Sequence, residues 1–256
     1  MKYKYLYGPV PSWRLGSSLG VDPISQKNKI CPFGCVYCQL GQTKEYSTER
    51  KVFIPAGEIV SEIRALPPGL QIDYITFSGA GEPTLALNLG EMIKAVKKER
   101  NEKTAVITNS SLLSWADVVA DVSEADFVIA KLDACSQEGF VSINNPAAGV
   151  TFEKIISSLS AFRKFYKKKF ALQIMFIDEN KAYAAKISEI ARHIKPDEVQ
   201  LNTPLRPCGV KPVSRSEMER IEKIFKRQNT ISVYKAEKKQ VESISSKDTL
   251  KRRGKT

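Results

Sequence analysis

Ile72-Asp73-Tyr74-Ile75-Thr76-Phe77, closed by Ser78-Gly79-Ala80-Gly81-Glu82-Pro83, decides the fold together with the two segments after it. The first six residues are mostly β-branched and aromatic, the composition of a strand, and the glycines end it. Leu89, Met92, Ile93 and Val96 then recur at helical spacing, and Thr104-Ala105-Val106-Ile107 is a second short apolar run. Strand, helix, strand in this order means two parallel strands joined by a crossover helix.

The same alternation extends both ways. Upstream, Ile59, Ile63 and Leu66 form a helix stripe stopped by Pro67-Pro68-Gly69, and Ser18-Leu19-Gly20-Val21-Asp22 reads as the first strand. Downstream, Ser114 is expected to cap a helix through Val119, Phe127-Val128-Ile129-Ala130 to be a strand, and the residues around Gly139, Asn144, Asn145 and Pro146 to be a loop. Thr151 caps the clearest amphipathic pattern in the chain, Phe152, Ile155, Ile156, Leu159, Phe162 and Phe165. Phe170 to Ile177 and Glu198 to Leu201 read as strands. Helix stripes follow them at Tyr183, Ile187, Ile190 and Ile194, and at Met218, Ile221, Ile224 and Phe225, before a short strand from Ile231 to Tyr234. The pattern is six strand–helix units of an α/β fold, the first strand being followed by a cysteine-bearing loop. Periodicity does not separate an open doubly wound sheet from a barrel. In both, the chemistry lies at the carboxyl ends of the strands.

The 256 residues are 42% hydrophobic and 27% charged, an ordinary globular balance that excludes disordered and fibrous classes. Forty basic against 28 acidic residues give a formal charge of +12. Such an excess suits nucleic acid or phosphate-bearing small molecules, or else reflects a Lys-rich solvated surface. From Lys235 the chain is polar and carries eight basic and three acidic residues. The expected division is one domain over 1–234 with an N-terminal loop, and a basic, flexible tail over 235–256. No apolar run is long enough to span a bilayer, and Met1-Lys2-Tyr3-Lys4-Tyr5 lacks the apolar core of a signal peptide. A cytoplasmic protein with no membrane partner is expected.

Five cysteines in that setting read as thiols or metal ligands rather than as a disulfide framework. Three of them lie in Cys31-Pro32-Phe33-Gly34-Cys35-Val36-Tyr37-Cys38. Thiolates suit zinc or iron–sulfur clusters. Three on one tight loop can each bind a different iron of a cubane and leave the fourth iron open. A structural zinc site wants four ligands, usually as two separated pairs. Cys135 and Cys208 bring no second such pair, and the single histidine, His193, sits in a helix stripe.

The segment matches the CxxxCxxC signature of the radical S-adenosylmethionine (SAM) superfamily, including the aromatic Tyr37 before the third cysteine. The resemblance implies a [4Fe–4S] cluster on Cys31, Cys35 and Cys38, its open iron chelated by the amino and carboxylate groups of SAM. It implies that the reduced cluster breaks a C–S bond of SAM, giving methionine and a 5′-deoxyadenosyl radical that abstracts a hydrogen atom. An external electron donor such as flavodoxin or ferredoxin would supply the electron. The implied fold is a partial (β/α)6 barrel of the TIM type with the cluster at its open top.

The other strand ends then gain meaning. Gly79, Ala80, Gly81, Glu82 and Pro83 resemble the superfamily's GGEP motif, which holds the methionine amine of SAM, with Ala80 where the first of the paired glycines usually stands. Thr108, Asn109 and Ser110 offer hydroxyls and an amide to the ribose or carboxylate of SAM, or are a simple turn and helix cap. Lys131 and Asp133 end the following strand, and a charged pair there favours a site role. Gln173 and Met175 share a strand face and are expected near the adenine, although Met175 also suits a core. Asn202, Arg206 and Cys208 lie where a superfamily barrel faces its substrate, and Cys208 reads equally as a passive thiol. The segment Tyr7 to Gly20, dense in Gly, Pro and aromatics, reads as a shaped loop. It resembles the GPVPSRRLGRSLG opening of a radical SAM group allied to wyosine-synthase-like proteins, with Trp13 and Ser17 in place of arginines. Arg14 is kept, and either binds a phosphate or carboxylate or packs on its own loop. Wyosine synthases carry additional N-terminal cysteines, and none precedes Cys31 here. Within this reading, RNA-base modification leads and radical activation of a protein partner is second. A zinc-binding or redox-sensing nucleic-acid protein is the alternative of a different class.

Overall fold

The computed structural model describes residues 3–237 and 239–253. Residues 1–2 of the N-terminal stretch, and 238 and 254–256 of the expected tail, lie outside the described residues. One eight-stranded sheet carries the fold, its strands running β1 to β8 in chain order. Its edge hairpin is β1 (Leu6–Ser12) and β2 (Gly16–Val21), paired antiparallel. From β2 onward every pairing is parallel: β3 (Tyr74–Phe77), β4 (Lys103–Thr108), β5 (Phe127–Lys131), β6 (Lys169–Met175), β7 (Glu198–Asn202) and β8 (Thr230–Ser232). β1 and β8 do not pair, so the curled sheet is an open half-barrel. The expected partial barrel is what the chain forms.

The crossovers carry α1 (Ala56–Arg64), α2 (Leu89–Glu99), α3 (Ala116–Ser123), α4 (Gln137–Asn144), α5 (Phe152–Phe165), α6 (Asp178–Lys181), α7 (Ala184–Ile194) and α8 (Arg215–Ile224); periodicity predicts all of these but α4 and the single turn α6. Strand residues alternate between two environments. In β6, Phe170, Leu172 and Ile174 face outward into one core with the buried stripes of α1, α2, α5, α7 and α8. Ala171 faces inward, where it packs with Leu15, Ala105, Phe127 and Ile129 into an apolar plug inside the barrel. Burying each large side chain of these layers stabilises the fold by about 1.5–3 kcal/mol.

Three expectations need correction. The Tyr7–Gly20 segment is a β-hairpin, not a loop. Pro9 and Pro11 are tolerated because β1 is an edge strand, where missing N–H donors cost no ladder bond. Residues 137–144 are a helix, not a loop: Ser136 Oγ accepts from Gly139 N at 3.2 Å, Phe140 and Ile143 are buried, and Asn145 ends the helix in the left-handed region at φ 40°. Ser114 caps nothing; α3 begins two residues later behind Trp115. In the expected tail, Ser246–Arg253 forms a ninth helix, α9. Thr249 Oγ1 accepts from Gly8 N at 3.0 Å, and Ile244 N donates to Gly8 O at 2.6 Å, so these residues cover the free edge of β1.

Candidate active site

The three cysteines lie on the loop between β2 and α1, and neighbouring backbone fixes its curl. Cys31 N donates to Glu45 O, Gly34 N to Asn144 O and Asn145 O, Val36 N to Ile143 O, and Cys38 N to Cys35 O, all at 3.0–3.2 Å. The C-terminal carbonyls of α4 thus hold the middle of the loop. Three donors reach sulfur at 3.4 Å: Phe33 N and Asn109 Nδ2 on Cys31, and Asn144 Nδ2 on Cys35. Burial pushes the Cys31 and Cys35 thiols up. A metal must therefore displace their protons, and uptake is coupled to proton release. Burial works against the charge of Lys29, but the Cys38 and Cys31 sulfurs outweigh it and hold its pKa above the ordinary value.

Among the described residues, no three His, Cys, Asp or Glu side chains converge on a single-ion position. The sulfurs nevertheless open into one space with amide donors around them, a donor set that suits separate irons of a cluster better than one zinc ion. The residues present fit the group.

That space is a cavity of about 320 Å³ at the carboxyl ends of the strands, reaching into the barrel. Cys31, Cys35 and Cys38 line it with Lys29 and Tyr37. Glu82 faces them from the turn after β3. Gly81 allows this approach, since a Cβ there would stand 2.2 Å from Ile30 O. Glu82 is buried, and its Oε1 accepts from Thr84 N (3.2 Å), Thr84 Oγ1 (2.7 Å) and Thr108 Oγ1 (2.7 Å). Among the described residues, Oε2 accepts only from Asn109 N, at 2.7 Å. A carboxylate has about four acceptor sites, two on each oxygen, so Oε2 can take one further donor such as an ammonium. Burial raises the Glu82 pKa, against the pull of these donors.

Of the other expected site residues, Gly79, Gly81, Thr108, Asn109, Lys131, Gln173, Met175, Arg14 and Arg206 line the same cavity. Among the described residues, Gln173 Nε2 is buried with no hydrogen-bond partner. Arg14 stacks on Trp13 at 5.1 Å, and Arg206 Nη1 donates to Gln39 Oε1 at 2.8 Å.

Ala80, Pro83, Ser110, Asp133, Asn202 and Cys208 do not line it. Pro83 starts a buried 3-10 turn, and Ser110, at φ 74°, ties its hydroxyl to Lys131 O at 3.0 Å. The backbone carbonyl of Asn202 accepts from Phe176 N. Cys208 donates to Val210 O and packs with Tyr37, Met175 and Ile177. Cys135 packs against the main core. Asp133 is turned away from the cavity by four partners. It accepts from Met175 N (2.8 Å), Asn144 Nδ2 (3.0 Å) and the Tyr37 hydroxyl, and pairs with Lys131 Nζ at 3.1 Å. It supports the site from behind.

Sequence reasoning misses Asn144, Lys29 and the wall formed by the hairpin. Asn144 gives no signal because its helix is hidden behind loop-like composition. Tyr7 reaches Ser78 Oγ (2.7 Å) across Gly20, where a Cβ would stand 2.1 Å from its ring. Ser18 and Thr76 pair their hydroxyls at 2.7 Å on the same wall.

Comparison with known proteins agrees with this geometry. The family model described as "Radical SAM superfamily" matches residues 26–191. A UPF0026 protein of Synechocystis sp. is 41% identical over 211 residues, covering 82% of this chain and 78% of the relative. The structure of TYW1 with a lysine–pyruvate adduct bound superposes with a TM-score of 0.63 at 20% identity, over 83% of this chain and 74% of that one. SuiB of Streptococcus suis, bound to S-adenosylmethionine, superposes with a TM-score of 0.61 at 13% identity, over 80% of this chain and 50% of its own. The chain therefore belongs to the radical SAM superfamily, enzymes that work with a [4Fe–4S] cluster and SAM.

Proposed function

We propose that Cys31, Cys35 and Cys38 hold the cluster, and that the cavity beside them holds SAM and the acceptor of its radical chemistry. When bound, the cluster supplies the electron that cleaves SAM to methionine and a 5′-deoxyadenosyl radical, which abstracts a substrate hydrogen atom. The observation that carries this reading is that all three thiols and the open acceptor of Glu82 Oε2 face one cavity. Glu82 takes the amine of SAM. Asn109 and Thr108 fix that carboxylate from the next strand end, and Lys131, Gln173 and Met175 form the wall for the remainder of SAM. Tyr37, held by Asp133, keeps the loop seated.

RNA-base modification is the leading use, supported by the charge of +12. Within the basic run at 163–169, Arg163 pairs with Asp197 and Lys169 with Glu198, while Lys168 binds carbonyls of Ser123, Glu124 and Ala125 and keeps its charge. Among the described residues no helix is long and apolar enough to cross a membrane. Anaerobic reconstitution tests the core of the proposal: about four irons per chain and a brown chromophore bleached by dithionite are expected. Added SAM should then yield 5′-deoxyadenosine. A colourless protein carrying one zinc refutes it.

A further inference from the structure

The cavity beside the cysteines runs the length of β2. One end carries Cys31, Cys35 and Cys38, and the other carries Arg14 and Leu15, from the turn that precedes the strand. The six residues of β2 separate these ends by about 20 Å, at about 3.3 Å per residue. Ser12 fixes the turn, its Oγ accepting from Arg14 N at 3.3 Å and Leu15 N at 3.2 Å, and Gly16 completes it at φ 64°. Leu15 packs into the apolar plug, while Arg14, half-buried and stacked on Trp13, lines the cavity beside it. Arg206 reaches the same space from the loop after β7. Its bond to Gln39 Oε1 is to a neutral acceptor, which leaves its charge in place. On the hairpin wall, Ser18 and Thr76 share one hydrogen bond, so among the described residues one of their two hydroxyl protons remains for a ligand.

Among the described residues that line the cavity there are four cations, Arg14, Lys29, Lys131 and Arg206, and one carboxylate, Glu82. The cofactor end accounts for three of these five. Lys131 pairs with Asp133, Lys29 lies against the cysteine sulfurs, and Glu82 is the acceptor for the amine of SAM. Two arginines are left for the remaining room. We infer that this room takes a small organic anion as the radical's substrate, hydroxylated and ending in a phosphate or a carboxylate, with its acid group on Arg14 and its other end toward the cysteines. The inference rests on the reading that the cysteines hold the cluster and that SAM lies beside them. A guanidinium binds either acid through two parallel N–H bonds, and more strongly where water is partly excluded. The cavity, about 320 Å³, is at the small end of ligand sites, so beside SAM it takes a small molecule. A phosphate within an RNA chain carries a nucleotide on each side and does not reach the far end of β2. The charge of +12 bears on what the surface attracts, and the lining decides what the cavity holds.

Anaerobic calorimetric titration of the reconstituted, SAM-loaded protein tests this. Ribose 5-phosphate and gluconate are the anionic probes, ribose the neutral one, and a short RNA oligonucleotide the polymer. At least one small anion should bind, and which one does separates phosphate from carboxylate; ribose should not bind. Arg14→Gln should weaken that binding about tenfold or more and leave SAM affinity unchanged. Lys98→Gln, which removes one exposed charge from α2, should leave both unchanged. Should Arg14→Gln fail to fold, Arg14→Lys keeps the charge without the planar fork and should still bind the anion more weakly than wild type. Binding of neither small anion overturns the inference, and so does RNA binding that alone depends on Arg14. An equal loss in the Arg14 and Lys98 variants reduces the effect to overall charge and overturns it too. A parallel loss of SAM affinity in Arg14→Gln would move that residue to the cofactor. Failure of the wild-type chain to assemble any cluster would instead strike the reading beneath it.

Discussion

Asp133 is where the structure most sharply separates support from contact, and Asp133→Asn tests that separation. The carboxylate has a side-chain exposure of 0%, and its Lys131 partner has 12%. An asparagine there can keep its oxygen on Met175 N, which donates at 2.8 Å. Its amide nitrogen then faces Asn144 Nδ2, a donor at 3.0 Å that loses its acceptor, and Lys131 loses its counter-charge. A buried donor left unsatisfied costs about 1–3 kcal/mol, and breaking a buried ion pair from one side about 3–5 kcal/mol. Lys131 can swing partly into the cavity, so a total near the lower range, about 3–5 kcal/mol, is expected. For a chain of this length that lowers Tm by about 6–20 °C, at about 2–4 °C per kcal/mol. Thermal unfolding followed by circular dichroism on the metal-free protein reads this directly, away from any effect on catalysis. A Tm within a degree or two of wild type, together with lost SAM binding in the reconstituted protein, would refute the supporting role and return Asp133 to the ligand-contacting residues.

Cys31→Ala, Cys35→Ala and Cys38→Ala should each abolish 5′-deoxyadenosine formation and lower iron content, whereas Cys135→Ala should leave both intact; iron lost from the Cys135 variant would mean a fourth protein ligand. Glu82→Gln can keep the three bonds to Oε1 but loses Asn109 N–H, so a stability cost of about 1–3 kcal/mol should accompany a SAM affinity at least about tenfold weaker, read by equilibrium dialysis. Asn144→Leu removes the amide donor on Cys35 Sγ and should make the cluster's midpoint potential more negative, because hydrogen bonds to sulfur favour the reduced state; an unmoved potentiometric titration counts against that. Glu217, bonded to Lys181 and to the Ser214 cap of α8, has its pKa lowered from an ordinary 4.5 to about 2. Its contribution to stability is present above about pH 4.5 and is lost as pH falls towards 2. The stability gap between wild type and Glu217→Gln should therefore close over that interval, and a gap constant with pH would contradict the assignment.

Local spacing determined much of this protein. Apolar residues at period two and at helical period, with Gly and Pro between them, sufficed for the order of parallel strands and crossover helices, because each layer must bury one face. Three cysteines within eight residues, and polar groups at the ends of β3, β4 and β5, pointed to the candidate site region without a structure, since a parallel α/β sheet exposes its strand ends to ligands. Only tertiary structure decided the rest. β1 reads as a loop until β2 pairs with it and the residues beyond 240 cover its edge, contacts that no local pattern of Gly and Pro encodes. α4 is short and carries Gly139, so its existence depends on packing Phe140 and Ile143 and on offering its last carbonyls to Gly34 and Val36. The direction of Asp133 was equally beyond sequence. A carboxylate at a strand end points to ligand or to protein according to which donors surround it in space, and here Met175, Asn144, Tyr37 and Lys131 arrive from other parts of the chain.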